Sequence, residues 1–188
     1  GTDPLTIQVS VAPPDLKVIS RCGTGMDNVD RAYAAEKGIE VRNTPDGPTL
    51  AVAELTLGLI LTLLRQVPHQ DRELRSGVWK KRMGNLLHGK NVGIVGFGKI
   101  GQAVAHLLEP FGVNVGYHDP FADVPGYTRL ELDDLMGWAD VITLHCPKTE
   151  NGAPLLDLGH LSLMRPGSII LNIARGGLID EKALLGLL

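Results

Sequence analysis

The sequence predicts an α/β protein built on a doubly wound parallel sheet, with part of a second, smaller domain ahead of it. Three observations predict this. Short apolar runs recur from Asn91 onward with helical patterns between them. The spacers are long enough for crossovers between parallel strands. One strand-to-helix junction is dense in glycine. A chain of 188 residues with 44% hydrophobic content can also bury the core that such a fold needs.

Taken in order, Lys17–Ser20 reads as a short strand that runs into the glycine-rich turn Cys22-Gly23-Thr24-Gly25. Asp30 is placed to cap a helix from Arg31 to Lys37, stopped at Gly38, and Ile39–Val41 resumes a strand. Thr44-Pro45-Asp46-Gly47-Pro48 is a cluster of turn formers, and Thr49 is placed to cap a long apolar helix running towards Arg65. That helix is apolar nearly all round, so it is expected to be buried between domains or subunits, as a hinge or dimer element. Its run from Leu50 to Leu64 carries Glu54, Thr56 and Thr62 and is shorter than the roughly 20 residues of a membrane span. After Pro68, Arg72, Arg75, Lys80, Lys81 and Arg82 are interrupted by Asp71 and Glu73, which favours a solvated connecting segment over an anion-binding patch. The remaining strands are expected at Val92–Val95, Asn114–His118, Asp140–Leu144 and Ser168–Leu171.

Gly96-Phe97-Gly98-Lys99-Ile100-Gly101 is a GxGxxG motif, weak evidence alone but here preceded by an apolar strand and followed by a helix. In a Rossmann turn the first glycine permits the tight bend, the second lets backbone approach a pyrophosphate, and the third lets helix pack on strand. The helix-start amides and the helix dipole favour the phosphates, and Lys99 could add a charge contact. A second requirement is an acid ending the next strand about 20 residues on, to hold the adenosine ribose. Asp119 stands there. Its charge would repel an extra 2′-phosphate, and Arg129 is not expected beside it, so the cofactor is expected to be NAD rather than NADP. The alternative is a plain glycine-rich turn, with Asp119 opening an Asp-Pro turn.

The formal net charge of -3 gives no basic footprint for nucleic acid. The two cysteines, Cys22 and Cys146, lie far apart without metal-ligand spacing, so no metal site is expected and both are read as buried thiols. Gly1-Thr2-Asp3-Pro4 lacks the features of a secretory signal, which leads to an expected cytoplasmic location.

Several segments together are similar to the motifs of the D-isomer-specific 2-hydroxyacid dehydrogenases of the D-3-phosphoglycerate dehydrogenase type. They are Arg21-Cys22-Gly23-Thr24-Gly25-Met26-Asp27-Asn28-Val29-Asp30, Asn43-Thr44-Pro45, Ala53-Glu54-Leu55, Gly77-Val78-Trp79, Val95 to Gly101, and Asn172-Ile173-Ala174-Arg175-Gly176-Gly177-Leu178-Ile179-Asp180. The resemblance covers nearly the whole chain. It implies residues 1–48 as part of a flavodoxin-like substrate domain, 49–75 as an interdomain and dimer helix region, and 76–188 as an NAD-binding Rossmann domain, incomplete at its C-terminus. It implies that Gly23, Thr24 and Gly25 present backbone groups to the substrate carboxylate and that Arg175 is catalytic. It also implies that Lys99 and Ile100 touch the phosphates, Asp119 the ribose, and Cys146, Pro147 and Ala174 the adenosine and nicotinamide side. The implied reaction is hydride transfer between NAD and a small D-2-hydroxy acid, with 3-phosphoglycerate, and thus serine biosynthesis, leading.

The residues themselves support parts of this. Arg175 follows a strand, at the carboxyl edge where open α/β sheets bind ligands, and a guanidinium suits a 2-hydroxy acid's carboxylate; otherwise it is a surface cation. The Gly23–Gly25 turn by itself fits a bend in the backbone equally well. The reaction also needs an acid–base histidine and its carboxylate, which in this family lie beyond the arginine motif. His69, His88, His106, His118, His145 and His160 have no Pro-His-x-Gly context, and His145 is read as structural or solvent-exposed. The chain as written is therefore expected to be truncated at both ends, with Gly1–Thr6 similar to the middle of the substrate lobe, and catalytically dead or nearly so. The rival reading is a non-catalytic NAD-binding regulatory or assembly module on the same fold. The apolar helix Leu50–Leu64 leads to an expected homodimer.

Overall fold

The computed structural model describes residues 15–149 and 151–188. The Gly1–Thr6 segment, and with it the expectation about the substrate lobe, lies outside the described residues. Contacts divide the chain into two compact units, Gly1–Leu50 and Ala51–Leu188.

In the first unit, β1 (Val18–Arg21) pairs in parallel with β2 (Glu40–Asn43), Val18 beside Glu40 and Arg21 beside Asn43, and α1 (Arg31–Glu36) makes the crossover. Asp30 accepts a bond from the Tyr33 amide at 2.9 Å, satisfying an N–H that the first helical turn leaves without a partner.

Two helices, α2 (Thr49–Leu64) and α3 (Val67–Arg75), precede the sheet of the second unit. Then follow β3 (Asn91–Val95), α4 (Lys99–Leu108), β4 (Asn114–His118), β5 (Thr128–Arg129), α5 (Leu132–Trp138), β6 (Val141–Leu144), α6 (Leu158–Ser162), β7 (Ile169–Asn172) and α7 (Glu181–Leu187). The strand order is β5-β4-β3-β6-β7, all parallel, with Val95 level with both His118 and Leu144. Order reverses at β3: the chain leaves towards β4 and returns on the other side as β6. That switch point opens a crevice at the carboxyl edge of the sheet.

Period-two alternation divides the core between the two faces. Val92 and Ile94 of β3 pack with Ala53, Ile60, Leu64, Val104 and Leu108 from α2 and α4, while Val95 packs with Leu135, Met136 and Leu161 from α5 and α6. Each fully buried aliphatic side chain contributes about 1.5–3 kcal/mol against chain entropy.

Within this chain the apolar helix is buried along one stripe, Ala53, Thr56, Ile60 and Leu64, while Leu55 and Leu63 on other faces are exposed. The structure departs from the sequence reading in four places. Thr49 is the first helical residue rather than the cap. The segment after Pro68 is helical in its first part: proline in the first turn costs no hydrogen bond, and Asp71 pairs with Arg75 one turn on at 2.9 Å. This helix buries no residue, and the chain bends by 63° between α2 and α3, where Gln66 takes φ 55°. β5 was not expected, because a two-residue edge strand has no periodicity to read. Neither cysteine is buried: Cys22 lies in an exposed turn and Cys146 is half-buried just past the end of β6. Among the described residues, no single helix is long and apolar enough to cross a membrane.

Candidate functional site

The crevice at the end of β3 is built from three glycines with three different jobs. Gly96 has φ +92°, and a Cβ there would lie 2.7 Å from the Cys146 amide nitrogen and 2.8 Å from the His145 carbonyl oxygen. A Cβ on Gly101 would run into the Gly96 carbonyl oxygen. Gly98 differs: its φ is an ordinary -72°, and a Cβ would meet nothing within 4 Å. So Gly96 and Gly101 are forced by packing, whereas Gly98 leaves open space at the helix start. It is the N-cap of α4 and brings no side-chain acceptor to the first-turn amides. N–H groups at the positive end of a ten-residue helix, with no capping side chain from Gly98 and room in front of it, fit the pyrophosphate of a dinucleotide.

The turn is held from below by Phe97, which sequence reasoning passed over. Its side chain is fully buried, stacked on Tyr117 with ring centroids 4.0 Å apart and edge-on to Tyr127 at 5.2 Å. Such pairs add about 0.5–1.5 kcal/mol beyond burial. Its backbone is tied at both ends: the amide donates to Asp119 Oδ2 at 2.7 Å, and the carbonyl accepts from Gln102 Nε2 at 2.8 Å. Neither role has a sequence signal, since the motif leaves both positions unspecified.

Asp119 lies where the motif requires an acid, half-buried just beyond β4. Burial raises its carboxyl pKa, but bonds from the Phe97, Phe121 and Ala122 amides outweigh that and hold it below the usual carboxylate value. Phe121 and Ala122 both donate to Oδ1, at 2.8 and 3.0 Å. Arg129 is nearer than its sequence distance suggested: parallel pairing sets it level with Tyr117, and its Nη2 donates to the Pro120 carbonyl at 3.3 Å.

Across the crevice, His145 and Cys146 follow β6. Burial pushes the Cys146 thiol up, the Asp119 charge adding in the same direction, so it is held as a thiol. His145 shares a hydrogen bond with the buried Thr143 hydroxyl at 3.0 Å, and burial pushes its pKa down to about 4. It is uncharged at neutral pH. Pro147 is exposed beyond it, Lys99 is exposed on the first turn of α4, and Ile100 turns inward against the core.

Arg175 stands on the loop after β7, half-buried, with Nη1 donating to the Ala174 carbonyl at 2.8 Å. Asn172 staples that loop: its Nδ2 donates to the Arg175 carbonyl at 2.7 Å and its Oδ1 accepts from the Ala174 amide at 3.2 Å. The signal for it was available, because asparagine bonding to backbone two or three residues on is ordinary turn chemistry.

In the first unit, Gly23 has φ +134°, its amide donates to Thr44 Oγ1 at 2.8 Å, and its carbonyl accepts from the Thr44 amide at 3.2 Å. Asn43 Nδ2 donates to the Thr24 carbonyl at 2.8 Å, and Thr24 Oγ1 to the Pro45 carbonyl at 3.0 Å. Of the three residues expected to face a substrate carboxylate, Gly23 thus has its N–H committed within the turn, and Thr24 and Gly25 continue from it.

Comparison with known proteins agrees with this fold. Residues 57–188 match the model of the D-isomer specific 2-hydroxyacid dehydrogenase, NAD binding domain. The chain is 43% identical over 184 residues to a D-3-phosphoglycerate dehydrogenase of Mycobacterium tuberculosis, covering 94% of this chain and 35% of the relative. A glyoxylate/hydroxypyruvate reductase of Sinorhizobium meliloti, solved in complex with NADP and malonate, superposes with a TM-score of 0.91 at 34% identity, over 99% of this chain and 60% of that one. A D-lactate dehydrogenase of Aquifex aeolicus, complexed with NAD and lactic acid, gives 0.86 at 30% identity, over 96% of this chain and 56% of that one. The chain spans about a third of the length of the curated relatives it matches.

Proposed function

Because the chain belongs to the D-isomer specific 2-hydroxyacid dehydrogenase family and carries its NAD-binding domain, we propose that the protein interconverts a small D-2-hydroxy acid and its 2-keto acid, with 3-phosphoglycerate the leading substrate. The observation that carries this reading is the open cradle over Gly98 at the start of α4, with Asp119 beyond one neighbouring strand and Cys146 beyond the other.

In this reading the first-turn amides of α4, with Lys99 and Ile100, hold the phosphates, and Asp119 accepts hydrogen bonds from the ribose. The charge held on Asp119 favours NAD over NADP. Cys146, Pro147 and Ala174 line the remaining length of the nucleotide. When bound, the nicotinamide exchanges a hydride with C2 of the substrate while the hydroxyl proton is lost or gained. Arg175 binds the substrate carboxylate and polarises the C2 oxygen, a planar double donor suited to both. The Thr24 and Gly25 amides, with Gly23 setting the turn, are the first unit's groups for a substrate carboxylate. His145 does not serve as the proton donor, since burial keeps it uncharged at neutral pH. A cytoplasmic homodimer completes the proposal; exposed Leu55 and Leu63 on α2 and exposed Trp79 and Met83 beyond α3 offer apolar surface for a second copy.

The test is turnover by the full-length gene product with NAD and D-3-phosphoglycerate, or with NADH and the keto acid, across a panel of D-2-hydroxy acids. Turnover that needs Arg175 is expected. A protein that binds NADH tightly yet turns over no member of the panel contradicts the enzymatic reading and favours a binding module.

A further inference from the structure

Gln102, one turn into α4, grips the nucleotide turn twice. Its backbone amide donates to the Gly98 carbonyl at 3.0 Å, and its side-chain Nε2 donates to the Phe97 carbonyl at 2.8 Å. A carbonyl only accepts, so the side chain must present its NH2 here. One residue thus holds the carbonyls of two successive peptides, Phe97–Gly98 and Gly98–Lys99. In a trans peptide the N–H lies opposite the C=O. Holding both carbonyls back along α4 therefore turns the Gly98 and Lys99 N–H groups ahead of the helix, the side from which an anion approaches.

The grip matters because the residue between the two peptides is a glycine. Phe97 is fixed by its buried ring and by the bond from its amide to Asp119 Oδ2 at 2.7 Å. Gly98 has no side chain to restrain it: φ is -72°, ψ is -163°, and a Cβ would meet nothing within 4 Å. The peptide between them can turn over by rotating ψ of Phe97 together with φ of Gly98, and glycine takes the resulting positive φ at little cost. Turned over, that peptide would point its carbonyl, the negative end of its dipole, ahead of the helix in place of its N–H.

We propose that Gln102 is a positioning residue for nucleotide binding: by holding the Phe97 carbonyl it blocks this turnover and keeps the Gly98 N–H facing the pyrophosphate. The inference rests on the cofactor reading above and adds to it a residue beyond the three glycines and the acid. Gln102 acts through the Phe97–Gly98 peptide and not by touching phosphate. The glycine that makes room for the ligand is also the one that needs an outside hold on its orientation.

Two substitutions test it. Gln102→Met keeps the length and helix preference of the side chain and removes the donor. Gln102→Asn keeps the donor on a stem one methylene shorter, out of reach of the Phe97 carbonyl. Gln102 is exposed, so neither change threatens the core. Calorimetric titration of the full-length protein with NADH should show affinity weakened about 10-fold in both variants, the upper size of one neutral hydrogen bond. Phosphorus NMR of NADH at saturating protein separates positioning from general loosening: in both variants the bound diphosphate resonances should move towards their positions in free NADH. Affinity within about twofold of the unaltered protein in either variant would overturn the proposal. So would weaker binding with the bound resonances unmoved. Failure of the unaltered protein to bind NADH would instead overturn the cofactor reading beneath it.

Discussion

The two glycine-rich turns of this chain use the same residue for opposite reasons. At Gly96 and Gly101, glycine is imposed by neighbours: backbone atoms of His145, Cys146 and Gly96 occupy the places where side chains would go. At Gly23 it is imposed by the backbone itself, at φ +134°, and the atom nearest a Cβ, at 2.5 Å, is Arg21 Nη1, the far end of a flexible side chain. The Gly96–Gly101 turn is an embedded part of the core and the Gly23 turn a local bend secured by Thr44 and Asn43. Damage to the first should therefore spread through the fold, whereas damage to the second should stay local.

The largest effect that can break this comparison is Gly101→Val. Forcing a branched side chain against the Gly96 carbonyl should cost about 3 kcal/mol or more, at the upper end of overpacking, and abolish NADH binding. Chemical denaturation and a nucleotide titration check both. A stable, binding variant would mean that the turn is looser than its packing indicates.

Arg175→Ala sharpens the comparison by separating binding from chemistry. Turnover should fall on the order of 100- to 1000-fold, as for loss of a group that stabilises charge in the transition state, with NADH affinity held within a factor of two. Equal loss of both would make Arg175 part of the nucleotide turn's framework.

Gly23→Ala should cost about 1–3 kcal/mol, the strain of a side chain in this backbone region, and should raise KM for the hydroxy acid without changing NADH affinity. Weakened NADH binding would erase the distinction between the turns.

The smallest effect is one of pH. The His145 pKa is depressed from 6.5 to about 4 by burial, so the unfolded chain binds more protons across that window. Stability is full above pH 6.5 and falls as pH drops towards 4. Thermal melts from pH 7 to 4 should show this loss, and His145→Asn should flatten it. An unchanged slope in the variant would assign the acid loss elsewhere.

The sequence made the nucleotide turn legible because its constraints are local and periodic: β3, three glycines and the helical spacing of Val104 and Leu108 coincide, and the acid follows at a fixed distance. The Gly23 turn was legible only through its likeness to a family, since a positive φ leaves no pattern beyond a glycine. What could not be read were the contacts between segments far apart in sequence. Phe97 stacks on Tyr117, Gln102 closes the loop behind it, and Arg129 reaches Pro120 only because a two-residue strand pairs with β4. The one-sided burial of α2 was hidden too. A helix apolar on every face does not announce which stripe the sheet will take.

The central claim is that a dinucleotide phosphate sits at the start of α4, where Gly98 brings no capping side chain. Gly98→Asp tests it most directly, because the φ there is ordinary and the space for a side chain is open, so the fold has no reason to change. The new carboxylate would cap the helix itself, taking the amides a phosphate needs and repelling it. Calorimetric titration with NADH should show affinity weakened about 100-fold or more, roughly two charge-assisted hydrogen bonds, with an unchanged melting temperature. Undiminished NADH binding by this variant would contradict the account.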